Sequence, residues 1–574
     1  MDNKTIADIL NAIADLMEIE DEKRIFEIKA YRKAAFVIAS MGEDIGKLLE
    51  KEGTEGLMKI DGVGKGIAKK IREYEETGKI SKYEELRKKF PFDVVELTRV
   101  RGVGPKTAYK LYKNLGVMTV EDLRKAVALH KIKNLEGFGE KRETDIATGL
   151  GILEKIKNRM LLGFALPYAD RISEMIIESG LAERISIAGS IRRMKETIGD
   201  LDILVASANP EKIMDVLAGN KEVKEIIARG ETKMTVMLDS GINCDLRFVE
   251  IGCFGAALQY FTGSKAHNVK LRKIAVRKGY KLNEYGLFNK KNVSIAGREE
   301  EEIYNKLGMD YMEPEMREDR GEIELAIKHG LPKLIEEKDI VGDLHVHTKY
   351  SDGTESMENM VLEAIRIGRK YIGFTDHSKS EHVANGMDKK KFEKYSEEIE
   401  RLGDKYEGKI ALLKSSETDI LKDGSLDWDR KSLESMDYVL ASVHMGLNMT
   451  EKEMTNRIVK CIESGKIDIL GHPTDRLINQ RPPLNIDIEK VFDAAEKNGV
   501  SLEINAFPER LDLNDENILL AKDYRVKFAI NTDSHSASHL KLMRYGIGTA
   551  RRGWIESREV INTRSLKDLK KFLC

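Results

Sequence analysis

Cysteine, long apolar segments and net charge are all scarce in this sequence. Four cysteines are scattered through 574 residues without a CxxC pair, which argues against a disulfide framework and favours a reducing cytosol. No apolar run approaches 18 residues, so no membrane span is expected. The N-terminal segment MDNKTIADILNAIADL is amphipathic but acidic, which is unlike a signal peptide.

The formal net charge is only −2, although charged residues make up 34% of the chain. No global charge therefore indicates a polyanionic partner, and any such signal must come from local clusters. The length predicts about four domains. Histidine is unevenly distributed, since eight of the eleven histidines fall between residues 345 and 539.

Two aspartates alternate with apolar residues in the segment DLDILV (200–205). Residues two apart on a strand share one face, so Asp200 and Asp202 should point the same way. Two carboxylates this close repel each other unless a cation lies between them. The pair alone is also compatible with an ordinary exposed strand end, so further residues must decide.

Three neighbouring features favour a metal site. Asp245 follows on a later strand, NCDLRFVE, and three aspartates on adjacent strands can hold two Mg²⁺ or Mn²⁺ ions. The turn Gly189-Ser190 can offer amide and hydroxyl donors to a phosphate, and Arg193 adds a cation.

Residues 265–281 then carry seven Lys or Arg and no acidic residue, which favours a nucleic-acid backbone over a solvated helix face.

The segments GSIRR, DLDILV, NCDLRF and YFTGSKAHNVKLR resemble family X DNA polymerases, the DNA polymerase beta group, over residues 1 to about 320. By this resemblance the three aspartates are the catalytic metal-binding triad. It also implies a triphosphate subsite, a sugar subsite that excludes a 2′-hydroxyl, and contacts to the nascent base pair. The resemblance implies that the triphosphate subsite consists of Gly189, Ser190 and Arg193, the sugar subsite of Tyr260, Phe261 and Gly263, and the base-pair contacts of Asn268 and Arg272.

Three Gly-apolar-Gly turns recur before helix starts, at 61–71, 101–111 and 136–146. Such a turn exposes backbone N–H groups and the positive end of a helix to a phosphate. One turn alone would mean little, but the first two also lie in basic surroundings. They predict helix-hairpin-helix modules that grip DNA without sequence preference. The DNA-binding candidates are Gly62, Gly64 and Lys69; Gly102, Gly104 and Lys106; Gly137 and Gly139.

The resemblance adds two expectations for these helices. It implies backbone carbonyls that order a monovalent cation, at Met58, Ile60 and Val63 and at Thr98, Val100 and Val103. Residues 30–40 also resemble the family's lyase domain, in which Lys70 matches the Schiff-base lysine. Glu27 and Gly66 stand where DNA polymerase beta has basic phosphate contacts, so a plain phosphate contact by Lys70 remains an alternative.

A second constellation of histidines and acids follows predicted strand ends in the C-terminal half. Ligands at the carboxyl ends of successive barrel strands gather at one mouth. Nine such residues suit two or three Zn²⁺ or Mn²⁺ ions rather than one. They are His345, His347, Asp352, His377, Glu417, His444, His472, Asp533 and His535. His329, His382 and His539 do not fit the pattern.

Residues 340–574 resemble the PHP family (polymerase and histidinol phosphatase), with all nine ligand positions filled. That resemblance implies a distorted βα barrel with a trinuclear metal centre that hydrolyses phosphate esters. The whole chain resembles the bacterial and archaeal fusions of a family X polymerase with a PHP domain. The pair Arg551-Arg552 is either a further DNA contact or an ordinary surface pair.

We therefore expect a multidomain α+β and α/β protein. It would comprise helical helix-hairpin-helix domains, a nucleotidyltransferase palm with a mixed sheet, a thumb and a C-terminal distorted (β/α) barrel. The expected boundaries are 1–90 for the lyase-like domain, 91–150 for the fingers-type domain, 151–255 for the palm, 256–320 for the thumb, 321–340 for a linker and 341–574 for the PHP domain.

The leading functional hypothesis is a gap-filling repair polymerase in a prokaryotic cytoplasm. It would use gapped or primed DNA and dNTPs and act as a monomer. The PHP domain implies a 3′–5′ exonuclease, with cleavage at abasic sites or removal of 3′-phosphates as further activities. Two alternatives remain: a nuclease or phosphatase whose polymerase half only delivers DNA, and a non-enzymatic scaffold that binds DNA ends.

Overall fold

A computed structural model describes the fold of the chain in two compact units, Met1–Lys157 with Asn479–Arg481, and Asn158–Ile478 with Pro482–Cys574. None of the helices in the part of the chain described is long and apolar enough to cross a membrane. The residues that the structure describes are 3–40, 45–60, 62–100, 102–156, 159–382 and 384–573.

The first unit is helical, and the apolar faces of its helices form one core. A capping box at Thr119 and Asp122 begins one of the helices, and glycines at 64 and 104 precede two others. Its helices are α1 (Asn3–Glu20), α2 (Ile25–Ser40), α3 (Ile45–Met58), α4 (Lys65–Thr77), α5 (Ser81–Lys89), α6 (Val94–Thr98), α7 (Pro105–Leu115), α8 (Val120–Ala128) and α9 (Glu140–Ile156).

The second unit begins with a five-stranded mixed sheet in the order β2-β4-β7-β6-β5, in which β4 and β7 are parallel and the other pairs are antiparallel. The elements of this palm region are β1 (Met160–Leu161), α10 (Leu162–Glu178), β2 (Arg184–Ile187), α11 (Gly189–Arg192), β3 (Thr197–Ile198), β4 (Asp200–Ala206), α12 (Pro210–Ala218), β5 (Val223–Arg229), β6 (Lys233–Leu238) and β7 (Asn243–Val249).

A small α+β region follows the palm. Its core extends beyond residue 320, because Ile323 and Ala326 from the expected linker pack in the same cluster as Leu271 and Ile303. The elements of this thumb region are α13 (Phe254–Thr262), α14 (Lys265–Arg277), β8 (Lys281–Asn283), β9 (Gly286–Phe288), β10 (Ser294–Ala296), α15 (Glu300–Lys306) and α16 (Glu322–Ile327).

The C-terminal region is a barrel of short parallel strands. Its sheets β11-β12-β13 and β14-β15-β16-β17-β18 are joined by bridges between Val346 and Ser534 and between His377 and Glu417. The strands are β11 (Gly342–Val346), β12 (Tyr371–Phe374), β13 (Ala411–Lys414), β14 (Glu417–Asp419), β15 (Leu440–Ser442), β16 (Ile469–Leu470), β17 (Ser501–Asn505) and β18 (Phe528–Asn531). The helices are α17 (Met357–Arg366), α18 (Lys389–Lys405), α19 (Arg430–Glu434), α20 (Glu451–Glu463), α21 (Ile488–Asn498), α22 (Asp515–Ala521), α23 (Met543–Arg552) and α24 (Leu566–Phe572).

The palm and the barrel share a core. Ile478, Leu511 and Tyr545 of the barrel region are buried within the apolar cluster of the palm. The predicted class, a multidomain α+β and α/β protein, is confirmed by these elements.

Candidate active sites

The palm sheet brings the three predicted aspartates together. Asp202 on β4 lies directly opposite Asp245 on β7, and Asp200 lies two residues before Asp202 on the same face. The expected adjacency of the two strands is therefore observed, and the parallel register of β4 and β7 brings Asp245 opposite Asp202.

The electrostatics of this site favour a cation. Burial and the neighbouring Asp200 carboxylate raise the pKa of Asp202 to about 7. Burial acts in the same direction on Asp245, but hydrogen bonds from Lys233 and Thr235 lower its pKa below the ordinary value. Three carboxylates in one partly buried site are stabilised when divalent cations bind among them.

Gly189 and Ser190, predicted as a turn, are the first two residues of the short helix α11 and lie against the aspartates. Gly189 has φ +65°, and a Cβ at this position would stand 2.3 Å from Asp202 Oδ2. The turn thus approaches the carboxylate more closely than a side chain would allow.

Arg193, a predicted triphosphate ligand, is buried and already hydrogen-bonded. Its Nε donates to Glu318 Oε1 at 3.0 Å and its Nη1 donates to the Thr262 carbonyl. A Cβ at Gly263 would stand 3.2 Å from the same Nη1. Arg193 therefore connects the palm turn to the segment that contains the predicted sugar-contacting residues.

The predicted nucleotide-contacting residues cluster at the end of α13 and the start of α14. The Tyr260 and Phe261 rings meet edge to face at 5.2 Å, and the Arg272 guanidinium lies 5.9 Å from the Tyr260 ring centroid. Asn268 is buried, and both ends of its amide are hydrogen-bonded: Nδ2 donates to the Tyr260 carbonyl and Oδ1 accepts from Gln259. Its amide is thus held by the protein.

The three predicted hairpin turns share one backbone geometry. Gly62, Gly102 and Gly137 have φ of +77°, +87° and +80°, a region that favours glycine. In each turn an N–H donates to a carbonyl three residues earlier: Val63 to Ile60, Val103 to Val100 and Phe138 to Leu135. A helix begins three residues after the first glycine of each turn, at Lys65, Pro105 and Glu140.

The predicted DNA-facing side of these turns is open. Within the described residues, no atom lies within 4 Å of where a Cβ at Gly64, Gly104 or Gly139 would stand. Lys69 is exposed, whereas Lys106 is ion-paired with Glu22. The remaining carbonyl positions proposed for a monovalent cation, Met58 and Thr98, are the last residues of α3 and α6.

Lys70, the candidate Schiff-base lysine, lies partly buried on α4. Its Nζ donates to the Gly66 carbonyl at 3.3 Å and lies 5.7 Å from the centroid of the Tyr31 ring. Glu27, on α2, is ion-paired with Arg24.

The barrel brings all nine predicted ligands to one mouth; His345 lies within β11, Glu417 begins β14, and the other ligands follow strands. Glu417 lies at the centre, and its two carboxylate oxygens lie within 3.4 Å of nitrogens from five histidines. Those five are His345, His347, His377, His444 and His472.

Three overlapping groups of predicted ligands have the spacing of metal sites, and a fourth group, Glu381, Asp419 and His444, shares His444 with one of them. Two of the three share His347, and the third shares His377 with the first. The three groups are His347, Asp352, His377 and His535; His345, His347 and Asp533; and His377, Glu417 and His444. His472 joins through its 2.7 Å contact with Glu417.

The donor atoms fit metal ions. His345 Nε2, both ring nitrogens of His347 and His377 Nδ1 are buried without a hydrogen-bond partner among the described residues. Burial, with His535 and His377 nearby, lowers the pKa of His347 to about 4, so its imidazole is neutral as a ligand must be. His472 and Asp533 have positive φ angles of 24° and 53°, strain that is concentrated at functional sites.

Sequence reasoning missed the residues that orient these ligands. Glu503 on β17 accepts from His345 Nδ1 at 2.7 Å, and Asp419 on β14 accepts from His444 Nδ1 at 2.7 Å. A carboxylate behind a metal-bound imidazole fixes its tautomer and orientation. The available signal was an acidic residue in an apolar strand, VSLEINA, and a second acid two residues after Glu417.

Sequence reasoning also missed two cations at the aspartate site. Lys233 Nζ and Arg247 Nη2 each lie 2.8 Å from Asp245 Oδ2. Arg247 lies two residues after Asp245 on β7 and so shares its face, whereas only the strand register shows that Lys233 on β6 faces the same site.

Four family profiles match parts of the chain. A helix-hairpin-helix domain matches residues 1–80 and a SAM-like helix-hairpin-helix tandem matches 94–151. The DNA polymerase beta thumb matches 257–318 and the PHP domain matches 343–507. The profiles thus agree with the helical, thumb and barrel regions of the structure.

Relatives extend the match over the full length. The chain is 38% identical to the DNA polymerase/3′-5′ exonuclease PolX of Bacillus subtilis over 576 residues, covering 100% of this chain and 99% of the relative. It is 28% identical to DNA polymerase lambda of Arabidopsis thaliana over 55% of this chain and 62% of the relative. It is 29% identical to a probable phosphatase of Thermoanaerobacter over 41% of this chain and 94% of the relative. The full-length match and the two metal-ligand constellations lead to one conclusion: the chain belongs to the PolX family of DNA polymerases that carry a PHP domain.

Proposed function

We propose that the chain is a DNA-templated polymerase that fills short gaps during repair and carries a separate 3′–5′ exonuclease in its barrel. The observation that carries the polymerase activity is the in-register placement of Asp202 and Asp245, with Asp200 on the same face. Such a carboxylate triad suits transfer of a nucleotide to a primer 3′-hydroxyl.

The palm residues would act by positioning and charge. Asp200, Asp202 and Asp245 hold Mg²⁺ or Mn²⁺, which when bound lowers the pKa of the attacking hydroxyl and neutralises phosphate charge. Ser190 and Arg193 bind the triphosphate, while Tyr260, Phe261 and Gly263 contact the sugar and Asn268 and Arg272 the nascent base pair. The primer hydroxyl attacks the α-phosphorus in line, and pyrophosphate leaves.

The barrel residues would hydrolyse phosphodiesters at a 3′ end. The nine ligands hold two or three Zn²⁺ or Mn²⁺ ions, which when bound supply an activated water and polarise the phosphate. Glu503 and Asp419 keep His345 and His444 oriented toward the centre. The likeness of this half to a probable phosphatase supports removal of 3′-phosphates as a further reaction. Cleavage at abasic sites would be another hydrolysis of a phosphodiester by the same centre.

The helical unit would hold the DNA. Three matched glycine turns with open faces support contacts to the phosphate backbone of a gapped duplex. Carbonyls of Ile60 and Val100, with their neighbours, order a monovalent cation there, and Lys70 contacts a 5′ phosphate or forms a Schiff base with an abasic sugar. The protein acts on DNA and dNTPs as a monomer.

The test uses a labelled primer in a short-gap duplex, with Mg²⁺ or Mn²⁺ and with or without dNTPs. Asp245→Ala should abolish extension and retain shortening, while His345→Ala should do the reverse. Matched controls are Asp215→Asn and His329→Ala, two residues whose ion pairs lie at exposed positions.

Each alternative predicts a different outcome of that test. Shortening without extension by the wild type would make the chain a nuclease whose palm only binds DNA. No reaction by the wild type, with retained DNA-end binding, would favour the scaffold.

A further inference from the structure

The pair Arg551-Arg552, which the sequence suggested as a surface pair or DNA contact, is engaged within the protein. Arg552 ends α23 of the barrel region and is only 4% exposed. Its Nη1 donates to the Arg193 carbonyl at 2.7 Å and to Glu318 Oε1 at 3.0 Å, and its Nη2 donates to Asp515 Oδ2 at 2.6 Å. One guanidinium from the barrel therefore contacts both Arg193 of the palm and Glu318 of the thumb region.

The same Glu318 oxygen is shared with the side chain of Arg193. Arg193 Nε donates to Glu318 Oε1, and Arg193 Nη1 donates to the carbonyl of Thr262, between Phe261 and Gly263. Arg552 thus contacts Arg193 twice, directly at its backbone and through Glu318 at its guanidinium. The position of the Arg193 side chain depends on both contacts.

A second contact of α23 acts on the next residue of the turn. Met194 has φ +52°, and its side chain packs on Gly548. A Cβ at Gly548 would stand 2.5 Å from Met194 Cε and 3.0 Å from Met194 Cβ. Glycine at this point of α23 allows the turn that carries Arg193 to lie directly on the helix.

We propose that α23 of the PHP domain is a positioning element of the polymerase nucleotide site, with Arg552 setting the place of Arg193 for the triphosphate. This inference rests on the proposed polymerase function and deepens it. The fork of an arginine holds three acceptors in fixed directions, which a lysine cannot reproduce. The barrel would therefore serve the polymerase reaction independently of its own metal centre.

Arg551 provides a matched control on the same helix. Its guanidinium pairs with Glu315 and Glu313 and donates to the Ile335 carbonyl, so it also joins the barrel to preceding residues. It makes no contact with Arg193 or Glu318 among the described residues. A general loosening of this interface would affect both arginines, whereas positioning of Arg193 involves Arg552 alone.

The experiment measures single-nucleotide insertion into gapped DNA by the full chain and by Arg552→Lys, Gly548→Ala and Arg551→Lys. For Arg552→Lys we expect the KM for dNTP to rise about tenfold, with a smaller change in kcat. A tenfold change is the size expected for the loss of one charge-assisted hydrogen bond. The inhibition constant of inorganic tripolyphosphate should rise in parallel, because it probes the phosphate subsite without base or sugar. Gly548→Ala should shift both constants in the same direction.

Three other readouts separate positioning from misfolding. The exonuclease rate and the KM for gapped DNA of Arg552→Lys should stay close to those of the wild type, and its unfolding should remain one cooperative transition, although the thermal midpoint falls because Glu318 and Asp515 lose a donor. Arg551→Lys should leave the KM for dNTP within about twofold, as expected for a partly exposed ion pair. An unchanged KM for dNTP in Arg552→Lys, an equal rise in Arg551→Lys, or an unchanged tripolyphosphate constant would each overturn the proposal.

The outcome is distinguishable from failure of the polymerase function itself. If the wild type never extends a primer, that function fails, and calorimetric titration of Mg²⁺-dNTP into the wild type and Arg552→Lys still tests the positioning. Equal affinities in that titration would then reject the inference as well.

Discussion

At the scale of single residues, Glu503 determines how the barrel presents two of its histidines. Its carboxylate accepts from His345 Nδ1, from the His472 N–H and from the amides of Asn505 and Asn531. Glu503→Gln keeps the shape but turns an N–H₂ group toward donors. We expect metal affinity of the barrel to fall about 10–100-fold, measured by competition with a chelator, with primer extension unchanged.

A control for that substitution is Asp468→Asn, another largely buried carboxyl of the barrel. Asp468 immediately precedes β16, at the strand end opposite His472. Residues at the N-terminal end of barrel strands contribute to stability, whereas active-site residues lie at the C-terminal end. Equal loss of metal affinity in both variants would contradict a specific role for Glu503.

Asp468 also makes a pH-dependent contribution to stability. Burial raises its pKa to about 6, despite a hydrogen bond from the Val439 N–H. The folded state therefore binds more protons than the unfolded state between pH 4 and 6, so stability falls as the pH rises through this window. Above pH 6 the ionised Asp468 lowers the free energy of unfolding by at most about 3 kcal/mol.

Asp468→Asn should remove that cost while retaining an acceptor for Val439. We expect its thermal midpoint to exceed that of the wild type at pH 8, and the difference to shrink toward pH 4. Thermal unfolding at several pH values checks this, and a difference that is constant with pH would contradict it.

At the scale of elements, the start of α11 after β2 depends on one glycine, Gly189. Gly189→Ala would place a methyl against Asp202 and force an alanine into a left-handed conformation. We expect kcat for extension to fall about 100-fold, since small displacements of reacting groups have effects of this size. Exonuclease activity should be unchanged. The control is Gly219→Ala, which should retain extension because Gly219 has a negative φ and its Cβ would approach only the backbone of its own helix.

The elements were largely predictable because their signals are local. Alternation in DLDILV predicted one face for Asp200 and Asp202, and glycine spacing predicted the three turns that share a positive φ at their first glycine. The packing of residues 309–327 on the thumb was not predictable in this way, because this acidic, proline-containing segment has apolar residues that are buried in the thumb core. Composition described its surface, whereas packing determined its place.

At the scale of the whole molecule, the palm depends on the barrel for part of its core. A chain that ends at residue 340 would expose the surface covered by Ile478, Leu511 and Tyr545. Each buried side chain of this size contributes about 1.5–3 kcal/mol, so we expect calorimetry to show a lower unfolding temperature for the palm. His345→Ala in the full chain keeps the interface and is the control; equal midpoints for the truncated and full chains would contradict the shared core.

The sequence by itself predicted which residues are candidates for the chemistry, because strand and helix periodicity and short motifs act over a few residues. The aspartate pair, the glycine turns and the nine ligands all follow from short segments and from their likeness to known families. Only the tertiary structure decided which of these residues meet. Arg552 and Arg193 are 359 positions apart, and Lys233 faces Asp245 only through the register of β6 with β7. Such contacts arise from the packing of elements on one another, for which no local pattern in the chain is required.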